Sequence, residues 1–123
     1  MREFLAKRIY EKRSADDGLR LLVDRLWPRG VSKKVAHIDL WPKELTPSNE
    51  LRKWFHEHLD QYDEFASRYR LELHERLDEI IGLFATIDAQ RLTLVTSTKD
   101  LEHGHVAVLM DFLKAHFAGG IRS

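Results

Sequence analysis

The chain has 123 residues, of which 43% are hydrophobic and 33% charged, with 20 basic and 20 acidic side chains and no cysteine. This composition is typical of one folded domain, and it excludes thiol nucleophiles, thiolate zinc sites and iron–sulfur clusters. No apolar run approaches the roughly 20 residues that span a bilayer, so we expect no membrane association. The N-terminus, MREFLAKRIYEKR, has basic residues but no apolar core after them, so we expect no signal peptide, and the absence of cysteine favours a cytoplasmic location.

Strands are predicted over residues 4–10, 19–27, 37–41 and 91–97. The second segment, LRLLVDRLW, is almost continuously apolar, which is typical of a strand buried on both faces of a parallel sheet. The third alternates poorly and is cut short by Pro42. The fourth, RLTLVTS, is the clearest strand in the chain.

Helices are predicted between the third and fourth strands and after the fourth. The first begins after a cap at Thr46 or Ser48, and Asp60 is a candidate cap for the second. The last is expected to follow residue 97 directly and to stop at Gly119 and Gly120. Their apolar stripes are Leu51, Trp54 and Phe55; Tyr62, Phe65, Tyr69 and Leu73; Leu77, Ile80, Ile81 and Phe84; and Leu101, Val106, Leu109, Met110, Leu113 and Phe117.

This order of elements predicts an α/β fold, a three-layer single domain over residues 1–123 with a small, mostly parallel sheet flanked by helices. The last few residues are expected to form a flexible tail.

Five segments resemble one known family: KRIY, DGLRLLVDRLWPRGVSK, LWPKELTPSNELRKWF, EFASRYRLEL and LTLVTSTKDLEHGHVAVL. Together they are similar to the YeaO-like proteins, a DUF488-type family of small bacterial proteins, from Lys7 to Phe112. The resemblance implies no particular activity. Its motifs fall on residues 24–30, on residues 47, 48 and 50–55, and on residues 97, 99, 100 and 105. Gly104 stands where relatives carry asparagine. A longer branch that resembles this family carries cysteines at the positions of Thr96 and Gly104, so this chain cannot perform any thiol chemistry of that branch.

Two polar loops leave predicted strands, DRLWPRGVSKK at residues 24–34 and TSTKDLEHGH at residues 96–105. In an open parallel sheet, ligands bind beyond the carboxyl ends of the strands. If the two strands are neighbours, the loops face each other across a cleft. We therefore expect a site for a small anionic ligand that bears a phosphate or a carboxylate.

The candidate ligand-binding residues supply hydrogen-bond donors and positive charge. They are Arg25, Arg29, Ser97, Lys99 and Asp100. Asp24 and His105 are candidate catalytic residues for proton transfer, because both titrate and both lie near the expected cleft.

Structural alternatives remain open for the same residues. Ser97 and Asp100 can form a capping box without any ligand. A buried Asp24 can be held by Arg25, by Arg29 or by a loop amide. The ring of Trp27 can line a pocket or pack in the core.

Other chemistry is not favoured by the sequence. It contains neither a GxxxxGK[ST] phosphate loop nor an HExxH motif, and we expect no metal and no cofactor. His56 and His58, like His103 and His105, are two residues apart and point to nearly opposite helix faces.

The second hypothesis is a non-catalytic regulatory or interaction module. Its partner would be a protein or, less favoured, a nucleic acid, because the net charge is zero although residues 2–13 and 24–34 are locally basic. The sequence leaves open whether the chain is an enzyme.

Overall fold

A computed structural model describes residues 2–118 of the chain. Its elements in order are β1 (Glu3–Arg8), β2 (Leu19–Leu22), α1 (Lys33–Ala36), α2 (Asn49–His56), α3 (Tyr62–Glu75), α4 (Leu77–Ala85), β3 (Arg91–Thr96) and α5 (His105–Leu113). Short 3-10 turns lie at Ala15–Asp17 and Lys43–Leu45, and a π-helical turn, Lys114–Ala118, continues α5.

The three strands form one parallel sheet in which β3 lies between β1 and β2. Phe4 is opposite Leu92, and Leu21 is opposite Leu94. The predicted α/β class with a small parallel sheet is therefore confirmed. Because all three strands run in the same direction, their carboxyl ends meet at one edge, where the polar loops begin.

Successive residues of each strand point to opposite faces of the sheet, and both faces are covered. Leu21 and Leu94 face the larger core, to which α2, α3, α4 and α5 contribute. Leu22 and Val95 face a smaller cluster with α1 and the two tryptophans Trp27 and Trp41. The near-continuous apolar character of the strands follows from this burial on both sides.

The strand predicted over residues 37–41 is wrong. Leu40 makes only a single bridge to Leu21, and its carbonyl accepts a hydrogen bond from the Leu22 amide at 2.9 Å. His37 has a left-handed backbone conformation (φ 52°), and Pro42 has no amide to donate, so the pairing is limited at both ends.

The first two strands are shorter than predicted. β1 ends at Arg8 rather than at residue 10, and β2 ends at Leu22 rather than at residue 27. The chain leaves the sheet after Val23, whose amide still donates to the Val95 carbonyl at 3.0 Å. Beyond it, Asp24 and Arg25 bind neighbouring loops through their side chains, and Trp27 binds the Val31 carbonyl of its own loop.

The helix caps follow the sequence in part. The Ser48 hydroxyl accepts from the Leu51 amide at 3.1 Å and caps α2, as predicted for one of two candidates. Asp60 is not a cap, because α3 is preceded by Gln61 without a side-chain bond. Ile81 was predicted in the apolar stripe of α4 but is 49% exposed.

The last helix begins later than predicted. α5 starts at His105 with Gly104 as its N-cap, and residues 97–104 form a loop that contains Leu101. The predicted stop at Gly119 and Gly120 and the predicted flexible tail lie outside the described residues.

A buried ion cluster explains the arginine within the apolar run of β2. Arg20 is 2% exposed, and its guanidinium donates to Asp17 at 2.6 Å and to the carbonyl of Ala36 at 3.0 Å. Lys7 binds the same carboxylate at 3.0 Å. The buried charge is thus paired and hydrogen-bonded.

Across residues 2–118, every helix is too short or too polar to cross a lipid bilayer.

Candidate functional site

Asp24 joins the two loops that the sequence predicts to meet. Its carboxylate accepts four hydrogen bonds: from the Thr96 hydroxyl (2.5 Å), the Ser97 amide (2.8 Å), the Ser97 hydroxyl (2.7 Å) and His105 Nε2 (3.1 Å). β2 and β3 are neighbours, so the predicted meeting of the loops is confirmed.

The environment of Asp24 keeps its carboxylate ionised. Burial raises its pKa, but the bonds from His105, Thr96 and the Ser97 amide together outweigh burial, and the pKa lies below its usual value. Neither Arg25 nor Arg29 pairs with it. Of the predicted partners, the loop amide holds the side chain.

His105 is the first residue of α5 and is oriented by the end of β2. Its Nε2 lies 3.0 Å from the Val23 carbonyl and 3.1 Å from Asp24 Oδ1. Because both groups are hydrogen-bond acceptors, Nε2 must carry the proton. The ring therefore joins the start of α5 to the end of β2.

The loop after β3 folds on Asp100 rather than on a capping box with Ser97. Asp100 accepts from the Glu102 amide (3.0 Å), the His103 amide (3.1 Å) and His103 Nδ1 (2.9 Å). These bonds, with the Glu102 amide foremost, lower the pKa of Asp100. The capping box that the sequence left open does not form, since no helix begins at Ser97.

A cleft of about 440 Å³ lies between these loops and α2. Its lining comprises the DRLWPR segment (residues 24–29), Pro47, Arg52, Phe55 and His56 of α2, Leu59, Phe65, and residues 97, 98 and 103–105. Asp24, Arg25, Arg29, Ser97 and His105, which the sequence predicts, are thus brought together. The predicted Lys99 and Asp100 are exposed and lie outside this lining.

The three arginines of the cleft differ in their contacts. Arg25 Nε donates to the Pro47 carbonyl at 3.0 Å, so this side chain supports the wall. Arg29 is exposed and makes no ion pair or hydrogen bond within residues 2–117. Arg52 Nε is buried and has no hydrogen-bond partner in the same part of the chain.

Arg52 and His56 were missed by the sequence reasoning. The apolar stripe of α2, at Leu51, Trp54 and Phe55, gives no sign of them. Arg52 and His56 are four residues apart, so they lie on one helix face, and Phe55 is adjacent to that face. A basic pair at this spacing beside an aromatic residue was the available signal.

Two tryptophans position the DRLWPRG segment. Trp27 donates its indole N–H to the Val31 carbonyl (2.7 Å), and Trp41 donates to the Asp24 carbonyl (2.7 Å). Their rings meet edge to face at 5.5 Å between centroids. Trp27 both lines the cleft and packs against the smaller core cluster, which were the two alternatives that the sequence left open.

Histidines and carboxylates do not gather into a metal centre in the described part of the chain, where no three of them lie together. His58 Nδ1 is 2.7 Å from the Trp54 carbonyl, and its ring stacks on the Trp54 indole. His56 lines the cleft on the α2 side, and His103 and His105 line it on the side of the loop after β3.

Comparisons with known proteins give the family. The chain matches the family described as "Inactive DUF488-N3 subclade" over residues 3–120. The uncharacterized protein YeaO of Escherichia coli (strain K12) is 43% identical over 109 residues, which cover 89% of this chain and 95% of YeaO. The uncharacterized protein Rv3073c of Mycobacterium tuberculosis (strain ATCC 25618 / H37Rv) is 42% identical over 106 residues, 86% of this chain and 89% of that protein. No solved structure matches the chain significantly. The chain therefore belongs to the DUF488 family, in the subclade described as the inactive DUF488-N3 subclade, and is a YeaO-like protein.

Proposed function

We propose that this protein binds a small ligand with a phosphate or carboxylate group in the cleft at the carboxyl ends of its strands, without catalysing a reaction. The observation that carries the proposal is the state of the charged side chains that line the cleft. Arg29 is exposed, and neither its guanidinium nor that of Arg52 makes a hydrogen bond or ion pair within residues 2–117. The carboxylate of Asp24, in contrast, accepts four hydrogen bonds. A cleft in which two of the three arginines are unpaired and the acid is engaged favours an anion.

The arginines at the opposite edge of the sheet provide a contrast. Arg2 donates to the Ile87 carbonyl at 2.8 Å, and Arg91 pairs with Glu3 at 2.8 Å. These guanidiniums have partners within the protein. Arg29 and Arg52 differ from these two arginines in having no such partner within the described residues.

The start of α5 supports the same ligand class. Gly104 and His105 line the cleft, and no side chain caps the helix. The first turn of a helix has unpaired amides and the positive end of the helix dipole, which together attract anions.

The remainder of the lining is largely apolar and defines the rest of the ligand. Trp27, Phe55 and Leu59 contribute wall surface to a cleft of about 440 Å³. Pockets of a few hundred Å³ with a few polar groups among apolar walls are typical small-molecule sites. We therefore propose an anionic group on an apolar or ring-shaped body.

Catalysis is left out of the proposal for two reasons. General acid–base work requires a group that can exchange its proton with a substrate, and Asp24 is occupied by four bonds to its own protein. The subclade is also described as inactive. Asp24 is thus proposed as a residue that positions the loops of the cleft. We also propose that the protein is located in the cytoplasm.

The test is a thermal-shift and calorimetric screen of phosphate and carboxylate metabolites. A ligand that binds only the folded protein raises its melting temperature in proportion to the logarithm of ligand concentration over Kd. Loss of one charge-assisted bond costs about 1.5–3 kcal/mol, so Arg52→Ala should weaken binding roughly 10- to 100-fold.

Arg13→Ala serves as the matched control, because Arg13 is exposed and lies outside the cleft. Arg29→Ala is the second test variant. Arg25 is avoided because it supports the wall through Pro47. If no compound in the screen stabilises the wild type more than the Arg29→Ala, Arg52→Ala double variant, the proposal fails.

A protein partner is the second candidate, and one observation favours it. Leu26 and Leu59 line the cleft, although they are 58% and 69% exposed. Apolar side chains at a rim are suited to a segment of another protein. Nucleic acid has less support, because Arg2 and Lys7 of the basic N-terminal segment are engaged within the protein. Binding to mixed oligonucleotides that falls steeply with salt would support nucleic acid instead.

A further inference from the structure

His105 lines the cleft, and its ring has one nitrogen engaged by the protein and one without a hydrogen-bond partner in the described residues. Nε2 carries the proton, because it faces the Val23 carbonyl and the Asp24 carboxylate, both acceptors. Nδ1 has no hydrogen-bond partner within the described residues. Nδ1 is also accessible to solvent. Among the side-chain nitrogen and oxygen atoms of the described residues, only Arg52 Nε is both buried and without a hydrogen-bond partner.

From this geometry we infer that His105 makes the cleft selective for anions that carry a hydrogen-bond donor of their own, such as hydrogen phosphate. The inference rests on the proposed anion site and adds the chemical class of its ligand. With Nε2–H held by Asp24, the neutral ring presents the lone pair of Nδ1 as an acceptor. His105 is then a specificity-determining residue.

The groups around the His105 ring, and its protonation state, determine whether Nδ1 can accept a hydrogen bond. Asp24 contacts the ring from the β2 end, and the Tyr69 ring of α3 lies 6.4 Å away between centroids. The other titratable or charged groups of the lining are Arg25, Arg29, Arg52, His56 and His103. A neutral ring accepts at Nδ1, and a protonated ring donates there, so the test is made under mildly alkaline conditions, at about pH 8.

Hydrogen phosphate and sulfate form a matched pair of probes at this pH. Both are tetrahedral and both carry two negative charges, so the arginines attract them alike. Hydrogen phosphate has one O–H group that can donate to Nδ1. Sulfate has only acceptor oxygens, which would place lone pairs against the lone pair of His105.

The experiment is calorimetric titration of the full chain with inorganic phosphate and with sulfate. One neutral hydrogen bond is worth about 1 kcal/mol, and the repulsion of sulfate adds to the difference. The wild type should therefore bind phosphate about tenfold more tightly than sulfate.

His105→Gln is the informative variant. The glutamine amide can still donate to Asp24 and to the Val23 carbonyl, but it has no acceptor in the place of Nδ1. The ratio of the two affinities should fall to about one, because this acceptor is lost while the arginines remain. In Arg52→Ala, both anions should bind more weakly and the ratio should persist.

The possible outcomes separate the two proposals. Equal binding of both anions by the wild type overturns the role of His105 and leaves the anion site intact. Binding of neither anion also overturns the role of His105, and the metabolite screen then decides the anion site. If His105→Gln fails to fold, the nitrogen resonances of the wild-type ring decide. Nδ1 should be unprotonated and should shift with phosphate but not with sulfate; a proton on Nδ1 would contradict the inference.

Discussion

Asp24→Asn tests the anchor that holds the cleft together. The substitution keeps the size of the side chain but replaces one oxygen with an NH₂ donor. Oδ1 accepts from Thr96 and His105, and Oδ2 accepts from the amide and hydroxyl of Ser97. The Thr96 hydroxyl can rotate and His105 retains the Val23 carbonyl, whereas the Ser97 amide cannot turn away. We therefore expect the NH₂ group on the Thr96 side.

The cost follows from the bonds that change. A hydrogen bond to a charged group contributes about 1.5–3 kcal/mol, and a neutral one about 1 kcal/mol. The variant keeps neutral bonds to Ser97, exchanges the Thr96 bond for a neutral one in which its NH₂ group donates to the hydroxyl oxygen, and loses the bond from His105. Since the Asp24 side chain is only 11% exposed, water cannot replace that bond fully. The free energy of unfolding should fall by about 2–4 kcal/mol near pH 7.

The dependence on pH follows from the lowered pKa of Asp24. Burial raises this pKa, and the hydrogen bonds lower it further than burial raises it. The ionised carboxylate therefore stabilises the folded state fully above the unfolded pKa of about 3.9. This stabilisation is lost as the pH falls through the lower, folded pKa. The difference between wild type and Asp24→Asn should shrink accordingly in acid.

Urea denaturation followed by tryptophan fluorescence, in steps from about pH 7 to pH 3, measures this difference. Asp88→Asn is the control, because Asp88 is exposed and makes no hydrogen bond within the described residues. A cost below about 1 kcal/mol, or a cost that stays constant into acid, would refute the reasoning.

Three further substitutions test the backbone and a helix cap, each by urea denaturation. Gly82→Ala should stabilise the protein by about 0.5–1 kcal/mol, because Gly82 is exposed within α4 and its new Cβ meets open space; a loss of stability would contradict this. Gly18→Ala should cost more than about 2 kcal/mol, since φ is 66° and a Cβ would lie 2.2 Å from the Arg91 carbonyl oxygen; a neutral result would be inconsistent with that contact. Ser48→Ala should cost about 1–2 kcal/mol by leaving the Leu51 amide unpaired, and an unchanged midpoint would show that water caps α2 equally well.

β2 and β3 could be predicted from the sequence because they are buried on both faces. Near-continuous apolar runs at residues 19–23 and 92–95 define them, interrupted by Arg20 and Thr93, and turn residues separate them from the helices. The segment around Leu40 was read as a third strand, and it does bond to β2. The hydrophobic pattern cannot distinguish a single β-bridge from a full strand ladder. The length of the pairing depends here on the backbone conformation of His37 and on the missing amide of Pro42.

The start of α5 could not be predicted because two local signals compete. Ser97 and Asp100 have the spacing of a capping box, but both side chains are used elsewhere. Ser97 binds Asp24, which is remote in sequence, and Asp100 closes a turn of its own. A long-range bond to a buried carboxylate outweighs a helix cap worth about 1 kcal/mol, and helix formation is deferred to His105.

Two of the three charged side chains of DRLWPRG are held by hydrogen bonds within the protein, and the third is not. Asp24 is engaged by the opposite loop, Arg25 is engaged by the Pro47 carbonyl, and Arg29 is exposed in the cleft. Because Asp24 joins the two loops that form facing walls, loosening it should change stability and ligand affinity together. Arg52 supports no other part of the protein through its Nε, so its removal should change affinity alone. Variants at these two positions therefore separate the structural role of the cleft from its binding role.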